Sequence, residues 1–279
     1  MIKAYGENCY LLAKAYDLFA EYYYKSANLE QAVEYEKQAI EIAKDNLMQN
    51  SQDCATYYLN LAKYQNANGD FEAALSSAKY AEKIGNLNTR SLLKLYSVRA
   101  EAYMQLGNRE KADENIELAL AICEDSASEE LPQYIIADAY FSIGTVYSEA
   151  AYDTSWEFYE SSEYSLSWKY LLEASAIYGN FYGDPSEAVA RVALALGDAS
   201  FRACEIGKAK ILYKTAFDTL RDLTSMEMFD TDVLATVIGE RLDRLYAVDN
   251  NGKDMDTWVT EWLSIDWNNP EEIEEQLNN

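Results

Sequence analysis

Residues 56–81 read TYYLNLAKYQNANGDFEAALSSAKYA, and they contain the spacing that decides the fold. A small residue, Ala62, is followed twelve positions later by Ala74 and seven positions later again by Ala81. The same spacing recurs at three other places in the chain: Ala20, Ala32 and Ala39; Ala100, Ala112 and Ala119; and Gly197, Ala209 and Ala216. Four matches in one register indicate an internal repeat.

Each repeat predicts a helical hairpin. Tyr58 lies four positions before Ala62 and Leu61 lies one position before it, and residues at this spacing share one face of a helix. The segment NANGDFEAA at 66–74 contains turn residues that can end this helix and begin a second one, which carries the two alanines. Small residues at these positions let the two backbones approach closely. Glycine and proline are scarce, at 11 and 3 residues, which also favours an all-α fold.

The pattern resembles the tetratricopeptide repeat (TPR) family, whose repeat of about 34 residues carries W-x2-L-G-x2-Y followed by A-x3-F. The local matches are Tyr140-x2-Ile143-Gly144-x2-Tyr147 and Ala209-x3-Tyr213. This resemblance covers roughly residues 10–222 and implies a right-handed α-solenoid of about five TPR-like hairpins. The small residues at 20, 62, 100, 144 and 197 lie 42, 38, 44 and 53 positions apart, so the repeats are degenerate and longer than usual.

The predicted organisation is a repeat array over residues 1–222, followed by C-terminal capping helices and an acidic tail over residues 223–279. Residues 231–248 have a helical apolar stripe, and a solenoid needs such a cap to cover its last apolar surface. Trp258, Trp262 and Ile265 follow at helical spacing. We expect them to pack against the array, and the alternative is a docking peptide for a partner or for another copy.

An insertion at about residues 150–164 interrupts the fourth repeat. The alanine expected twelve positions after Gly144 is replaced by Trp156, and the register returns at Ser167, eleven positions later. The extra chain corresponds to about three helical turns and predicts a projecting helix extension or a lid. Its rings either pack on the neighbouring repeat or form a partner-binding edge, for which the candidates are Trp156, Phe158 and Tyr159.

Composition argues against several classes of function. A net charge of −25 would repel nucleic acid and anionic membrane surfaces, and no run of residues is long and apolar enough to span a bilayer. The chain has no histidine, and its four cysteines form no C-x-x-C pair, so the sequence offers no metal site and no histidine-based catalysis. We therefore expect a cytoplasmic chain that is not an enzyme and needs no cofactor.

In TPR proteins the first helix of each hairpin lines a concave groove that receives a peptide. Counted from the small residues, the resemblance selects these groove positions: Lys14, Asp17, Tyr24, Lys63, Asn66, Lys94, Ser97, Glu101, Phe141, Arg191, Phe201 and Arg202. Charges of both signs occur in this set, which favours a polar peptide over nucleic acid. Asp17 and Glu21 occupy two positions where TPR domains that hold the acidic tail of Hsp70 or Hsp90 receive a carboxylate, and their repulsion excludes that ligand.

The sequence thus predicts a non-catalytic TPR module that binds a protein or peptide through its groove and acts as an adaptor or scaffold. The alternative is a peptide-responsive bacterial regulatory sensor of the TPR type, whose ligand changes the curvature of the array. The two differ in whether a short peptide changes the shape of the molecule. The oligomeric state stays open.

Overall fold

A computed structural model describes residues 10–45, 51–85, 87–125, 131–150, 156–225, 231–265 and 269–278. Within these ranges the chain is helical and has no β-strand, which confirms the predicted all-α, helical-repeat class. The chain divides into two compact units, Met1–Ile135 and Ile136–Asn279. The boundaries predicted for the array and for the C-terminal region stay a prediction.

The described part of the first unit consists of three helical hairpins. Their helices are α1 (Tyr10–Lys25) with α2 (Leu29–Asp45), α3 (Gln52–Ala67) with α4 (Phe71–Ile84), and α5 (Thr89–Gln105) with α6 (Arg109–Glu124). Four of these helices follow a side chain that accepts a hydrogen bond from a backbone N–H three residues later, namely Asn28, Ser51, Asn88 and Asn108. Such caps satisfy one of the N–H groups that a helix leaves without a partner in its first turn.

The small residues of the repeat lie where the two helices of each hairpin meet. All nine alanines of the first three repeats are at most 1% exposed. Around them, one core cluster includes Ile40, Tyr57 and Leu61, and a second includes Leu59 and Leu95. The short turns between paired helices contain a left-handed residue, Ala27 (φ 57°), Gly69 (φ 81°) or Gly107 (φ 72°). Only glycine adopts this conformation without steric cost, which explains the glycines in two of the three turns.

The second unit contains two further hairpins and the C-terminal helices. Its helices are α7 (Gln133–Glu149), which begins just before the unit boundary, α8 (Trp156–Tyr159), α9 (Ser162–Tyr182), α10 (Glu187–Arg202), α11 (Ile206–Ser225), α12 (Thr231–Asp249), α13 (Met255–Ser264) and α14 (Pro270–Asn278). Helix α7 pairs with α9, and α10 pairs with α11. The turn between α10 and α11 has Cys204 in the left-handed conformation (φ 59°).

Glycine at the repeat position of both hairpins permits a close approach of the paired helices. A Cβ atom on Gly144 would lie 2.7 Å from Cγ of Leu171 on α9. A Cβ atom on Gly197 would lie 2.4 Å from the ring of Tyr213 on α11. Ser167 and Ala174, predicted to restore the register after the insertion, are fully buried on α9. The fourth repeat therefore closes in the predicted register despite the extra residues.

The insertion does not simply lengthen α7 or α9. Helix α7 ends at Glu149 and α9 begins at Ser162, and between them the described residues form the separate short helix α8. Residues 151–155 lie outside the described ranges. The corner between α8 and α9 is fixed by Ser161, whose N–H and Oγ–H both donate to the carbonyl of Phe158 and whose Oγ accepts from the N–H of Tyr164.

Within the second unit, the C-terminal helices pack on the hairpin of α10 and α11. Trp258 and Trp262 are 4% and 2% exposed and belong to the same core cluster as Ala209 and Tyr213, with Ile265 packed against it. The expectation that these tryptophans pack against the repeat array is confirmed. Helix α14 lies directly on α11. The two backbones are so close at Gly207 that an added Cβ atom would lie 1.9 Å from the backbone carbonyl oxygen of Gln276.

Candidate peptide-binding faces

Three first helices of the first unit are joined by one series of polar side chains. Asn60 on α3 donates through Nδ2 to Oδ1 of Asp17 on α1 at 2.6 Å. Lys94 on α5 donates through Nζ to Oδ1 of the same Asn60. Two of these residues were predicted groove positions, and the structure brings them together through Asn60. We call the surface formed by the polar side chains of α1, α3 and α5 the polar face of the first unit.

A fully buried carboxyl group, Glu36 on α2, lies behind this series. Both of its oxygens lack a partner with hydrogen-bond geometry, although Asp17 and Asn60 are close enough to affect its charge. Burial, reinforced by the Asp17 carboxylate, raises the pKa of Glu36 well above its usual range. Counting positions on first helices could not find Glu36, because it lies on a second helix. The signal in the sequence is the position of Glu36, four residues after Ala32 and three before Ala39, which puts it on the same helix face as these two buried alanines.

The pKa values of the neighbouring Asp17 and Lys94 are shifted as well. Burial raises the pKa of Asp17, and the Asn60 hydrogen bond and the Lys94 ammonium oppose that shift. Burial also lowers the pKa of Lys94 to about 8; the nearby Lys63 ammonium adds to this shift, and the carboxyl groups of Glu36 and Asp17 oppose it. Asp17 and Lys94 of the series, together with Glu36 behind it, place two carboxyl groups and one amine in a region of low polarity, where the charge of each affects the pKa values of the others.

Further along the same face, an aromatic ring supports a cation. The Lys63 ammonium lies 4.4 Å from the ring centroid of Tyr24, within the distance at which a ring attracts a cation. Tyr24 in turn packs on Tyr64, with ring centroids 5.0 Å apart. Both predicted residues, Tyr24 on α1 and Lys63 on α3, therefore meet across neighbouring hairpins.

Asn66 joins the second and third hairpins. Its Nδ2 donates to the backbone carbonyl of Val98 at 2.8 Å and to Oε2 of Glu101 at 3.0 Å. Asn66 is 3% exposed, so its amide is held by α5 and is not free to rotate. Of the other predicted positions, Ser97 is half-buried on α5 and Lys14 is exposed on α1.

The second unit shows the same kind of contact between its first helices α7 and α10. The Arg191 guanidinium lies 5.0 Å from the ring centroid of Phe141. Arg202 donates through Nη1 to the backbone carbonyl and to Oγ of Ser148, at 2.9 and 3.2 Å. Phe201 differs from these residues, because it packs against the core cluster of the second unit.

Two aspartates in the second unit hold tyrosines that lie on second helices. The hydroxyl of Tyr213 donates to Oδ1 of Asp198 at 2.8 Å, and Nη2 of Arg241 lies 2.6 Å from Oδ2 of the same carboxylate. The hydroxyl of Tyr178 donates to Asp138. The pKa values of both tyrosines are raised, first by burial and then by these carboxylates. These bonds tie first helices to second helices and to α12.

No protein-family model and no curated protein matches the sequence. In structure, the chain is similar to a Rap protein complexed with Competence and Sporulation Factor, with a TM-score of 0.60 and 16% identity over 96% of this chain and 76% of the other. It is also similar to BtubC (BKLC) from P. vanneervenii, with a TM-score of 0.54 and 18% identity over 91% of each chain. Repeated hairpins with buried small residues agree with these likenesses. The fold is of the TPR type.

A weaker likeness is to the TPR-like repeats of a Podosopora anserina kinesin light chain, with a TM-score of 0.44 and 19% identity over 76% of this chain and 96% of the other. At these identities the likenesses establish the fold and leave the ligand open. The contacts between successive first helices are therefore the basis for any inference about binding.

The candidate partner-binding edge of the insertion has one buried and one exposed ring among its described side chains. Phe158 is 5% exposed and packs with Tyr164, Ala199 and Ala203, so its ring belongs to the core. Tyr159 is 38% exposed. The side chain of Trp156 lies outside the described residues. Of the three candidate edge residues, Tyr159 is the one whose described side chain reaches the surface.

Among the described residues, no group of three or more histidine, cysteine, aspartate and glutamate side chains is arranged to hold a metal ion. In the same part of the chain, no helix combines the length and apolar character needed to cross a membrane.

Proposed function

We propose that this chain is a non-catalytic cytoplasmic TPR module that binds a polar peptide or a segment of a partner protein and acts as an adaptor or scaffold. The observation that carries the proposal is the series Asp17, Asn60 and Lys94, which runs across three consecutive first helices. A row of donors and acceptors on successive hairpins matches an extended peptide, whose N–H and C=O groups also recur at short intervals.

The charges of this face favour a polar ligand of mixed sign. Asp17 lies beside Lys94, and Glu21 forms an ion pair with Lys25 at 2.9 Å, so opposite charges alternate along the face. The whole chain carries a charge of −25, which opposes nucleic acid. A peptide with both donors and acceptors can replace the internal hydrogen bonds of the face without leaving a buried polar group unpaired.

The test uses a pair of side chains whose removal leaves Asp17, Asn60, Lys94 and Glu36 in place. Tyr24 and Lys63 are half-buried and meet on the polar face, so a Tyr24→Ala, Lys63→Ala double variant removes its aromatic platform and one cation. Peptides are first selected from a random displayed library against the wild-type chain. Their affinities are then measured by calorimetry. We expect the double variant to bind them at least about tenfold more weakly, since it loses a cation–π pair and its contact area.

A matched control removes the same two residue types elsewhere on the first unit. Lys79→Ala, Tyr80→Ala changes an exposed lysine and tyrosine on the second helix α4. The control should retain wild-type affinity, and circular dichroism should show equal helicity for all three proteins. Equal loss in both double variants, or a library that yields no binding peptide, would contradict the proposal.

A second candidate is the peptide-responsive regulatory sensor. The likeness to a Rap protein complexed with Competence and Sporulation Factor, over 96% of this chain, supports it through the fold alone. Small-angle scattering with the selected peptides separates the candidates: a sensor should change its radius of gyration on binding, and a scaffold should keep it.

A further inference from the structure

Three aromatic rings of the insertion stand in one contiguous series. Tyr159 on α8 contacts Tyr164 on α9 with ring centroids 5.6 Å apart, and Tyr164 contacts Trp168 with centroids 6.1 Å apart. Tyr164 and Trp168 lie four positions apart on α9 and so share one face of that helix. The bonds of Ser161 at the corner between α8 and α9 hold Tyr159 against this face.

A carboxylate and an ammonium complete the cluster. In the turn before α11, Glu205 accepts a hydrogen bond through Oε2 from the hydroxyl of Tyr164. Its second oxygen, Oε1, lies 2.5 Å from Nζ of Lys208. The same Nζ lies 5.8 Å from the ring centroid of Trp168 and 6.0 Å from that of Tyr159. Two rings and one carboxylate thus surround a single ammonium group.

We propose that Tyr159, Trp168 and Glu205 form a binding site for a lysine-type ammonium group of a partner protein, and that Lys208 occupies it in the free chain. Rings attract a cation through their negative faces, and aromatic cages of this kind recognise ammonium and methylated ammonium groups. The carboxylate supplies the opposite charge, and its bond to Tyr164 fixes its orientation. We define this set as the ammonium site.

Lys208 is held weakly enough to be replaced. Its side chain is 40% exposed, whereas that of Glu205 is 14% exposed, so the ion pair is open to water on the lysine side. Its Nζ lies at the outer limit of the distance, about 6 Å, at which a ring attracts a cation. An incoming ammonium that approaches the rings more closely would therefore gain more than Lys208 loses, because Lys208 can extend into water.

The ammonium site does not depend on the function proposed for the polar faces. It uses no residue of those faces, since it consists of residues of α8 and α9 and of the segment that begins α11. It also gives a role to Tyr159, the exposed member of the candidate edge. The partner is recognised by a lysine or methyllysine side chain, and the acidic character of the chain favours basic partners over acidic ones.

The experiment removes the Lys208 ammonium by mutation and measures the binding of small molecules that carry an ammonium group. Lys208→Met keeps the apolar stem of the side chain and deletes its charge. The probes are Nα-acetyl-lysine methylamide, its Nε-trimethyl form and the neutral norleucine analogue. Binding is followed by NMR through the indole N–H resonance of Trp168. This resonance is assigned as the one that is missing from the spectrum of Trp168→Phe. We expect Lys208→Met to bind both ammonium probes about tenfold more tightly than the wild type does. The tighter of the two identifies the natural methylation state.

Controls separate this site from a general charge effect. Lys169→Met removes an exposed lysine from the same unit and should leave the affinity at the wild-type value. Adding Glu205→Gln to Lys208→Met should weaken binding severalfold. The proposal is overturned if norleucine shifts the Trp168 resonance as much as the ammonium probes do, or if Lys208→Met and the wild type bind them equally. If Lys208→Met loses helicity, Lys208→Gln replaces it and the same outcomes apply.

Discussion

At the scale of single residues, the least expected feature is an acid in the core of the first unit. Glu36 is fully buried, while its neighbours in the repeat pattern are alanines that are buried as the pattern requires. A carboxylate at this depth, with Asp17 beside it, is unfavourable unless it holds a proton. The polar face of the first unit therefore packs against a carboxyl group whose protonation affects the stability of the fold.

Glu36→Gln should stabilise the protein at neutral pH. The pKa of Glu36 in the folded state lies above the usual value of 4.5, so the wild type loses stability as pH rises from 4.5 toward the folded pKa. Glutamine carries no charge and can donate its amide to Asp17, so it avoids this loss. Denaturant unfolding should show little difference between variant and wild type below pH 4.5 and a gain of at least about 1 kcal/mol at pH 7.

The matched control for this prediction is Glu41→Gln, which removes one charge from the exposed side of the same helix. It should change stability little, and by a similar amount at each pH. If both variants gain equally, the relief of net negative charge explains the effect and burial of Glu36 does not.

At the scale of helices, the distance between paired backbones is set by the residue at the repeat position. Alanine suffices in the first three hairpins, whereas glycine is needed where a large side chain from the partner helix crosses the position. Tyr213 does so at Gly197, and Leu171 does so at Gly144. The spacing in the sequence thus predicted the contact, and the partner side chain explains why glycine replaces alanine.

Gly197→Ala should destabilise the protein by about 1–3 kcal/mol, the usual cost of overpacking a core, because its methyl group would overlap the Tyr213 ring. The matched variant is Gly179→Ala in helix α9, where an added methyl group meets nothing within 4 Å. Gly179→Ala should instead stabilise by roughly 0.5–1 kcal/mol through helix propensity. Thermal unfolding of both variants checks the prediction, and a destabilised Gly179→Ala would show that helix context and not packing decides the sign.

The repeat spacing predicted which residues pair, because a buried small residue leaves a periodic mark on the sequence. It did not predict Glu36 or the ammonium of Lys208 beside Trp168, because these contacts depend on long-range neighbours and on no periodic pattern. The same limit applies to α8. This helix has four residues, too few for a helical period to show in the sequence, so the packing of Phe158 on α10 defines it.

At the scale of the whole molecule, the charges fall into two groups. Asp17, Lys94, Glu205 and Lys208 are paired or coupled with opposite charges at short range. The remaining excess is negative, since 48 acidic residues face 23 basic ones over 279 residues. Salt screens both kinds of interaction. Screening of the ion pairs lowers the stability of the fold, whereas screening of the repulsion between like charges raises it.

Salt should therefore stabilise this protein, because repulsion within a chain of charge −25 exceeds what exposed ion pairs contribute. Raising NaCl from about 10 mM to about 150 mM shortens the screening length from about 30 Å to about 8 Å. We expect Tm to increase by about 2–4 °C, which corresponds to about 1 kcal/mol in a chain of this size. KCl at equal ionic strength is the control and should give the same shift. A difference between the two salts would indicate a specific cation site, and a Tm that falls with both would show that local ion pairs outweigh the net charge.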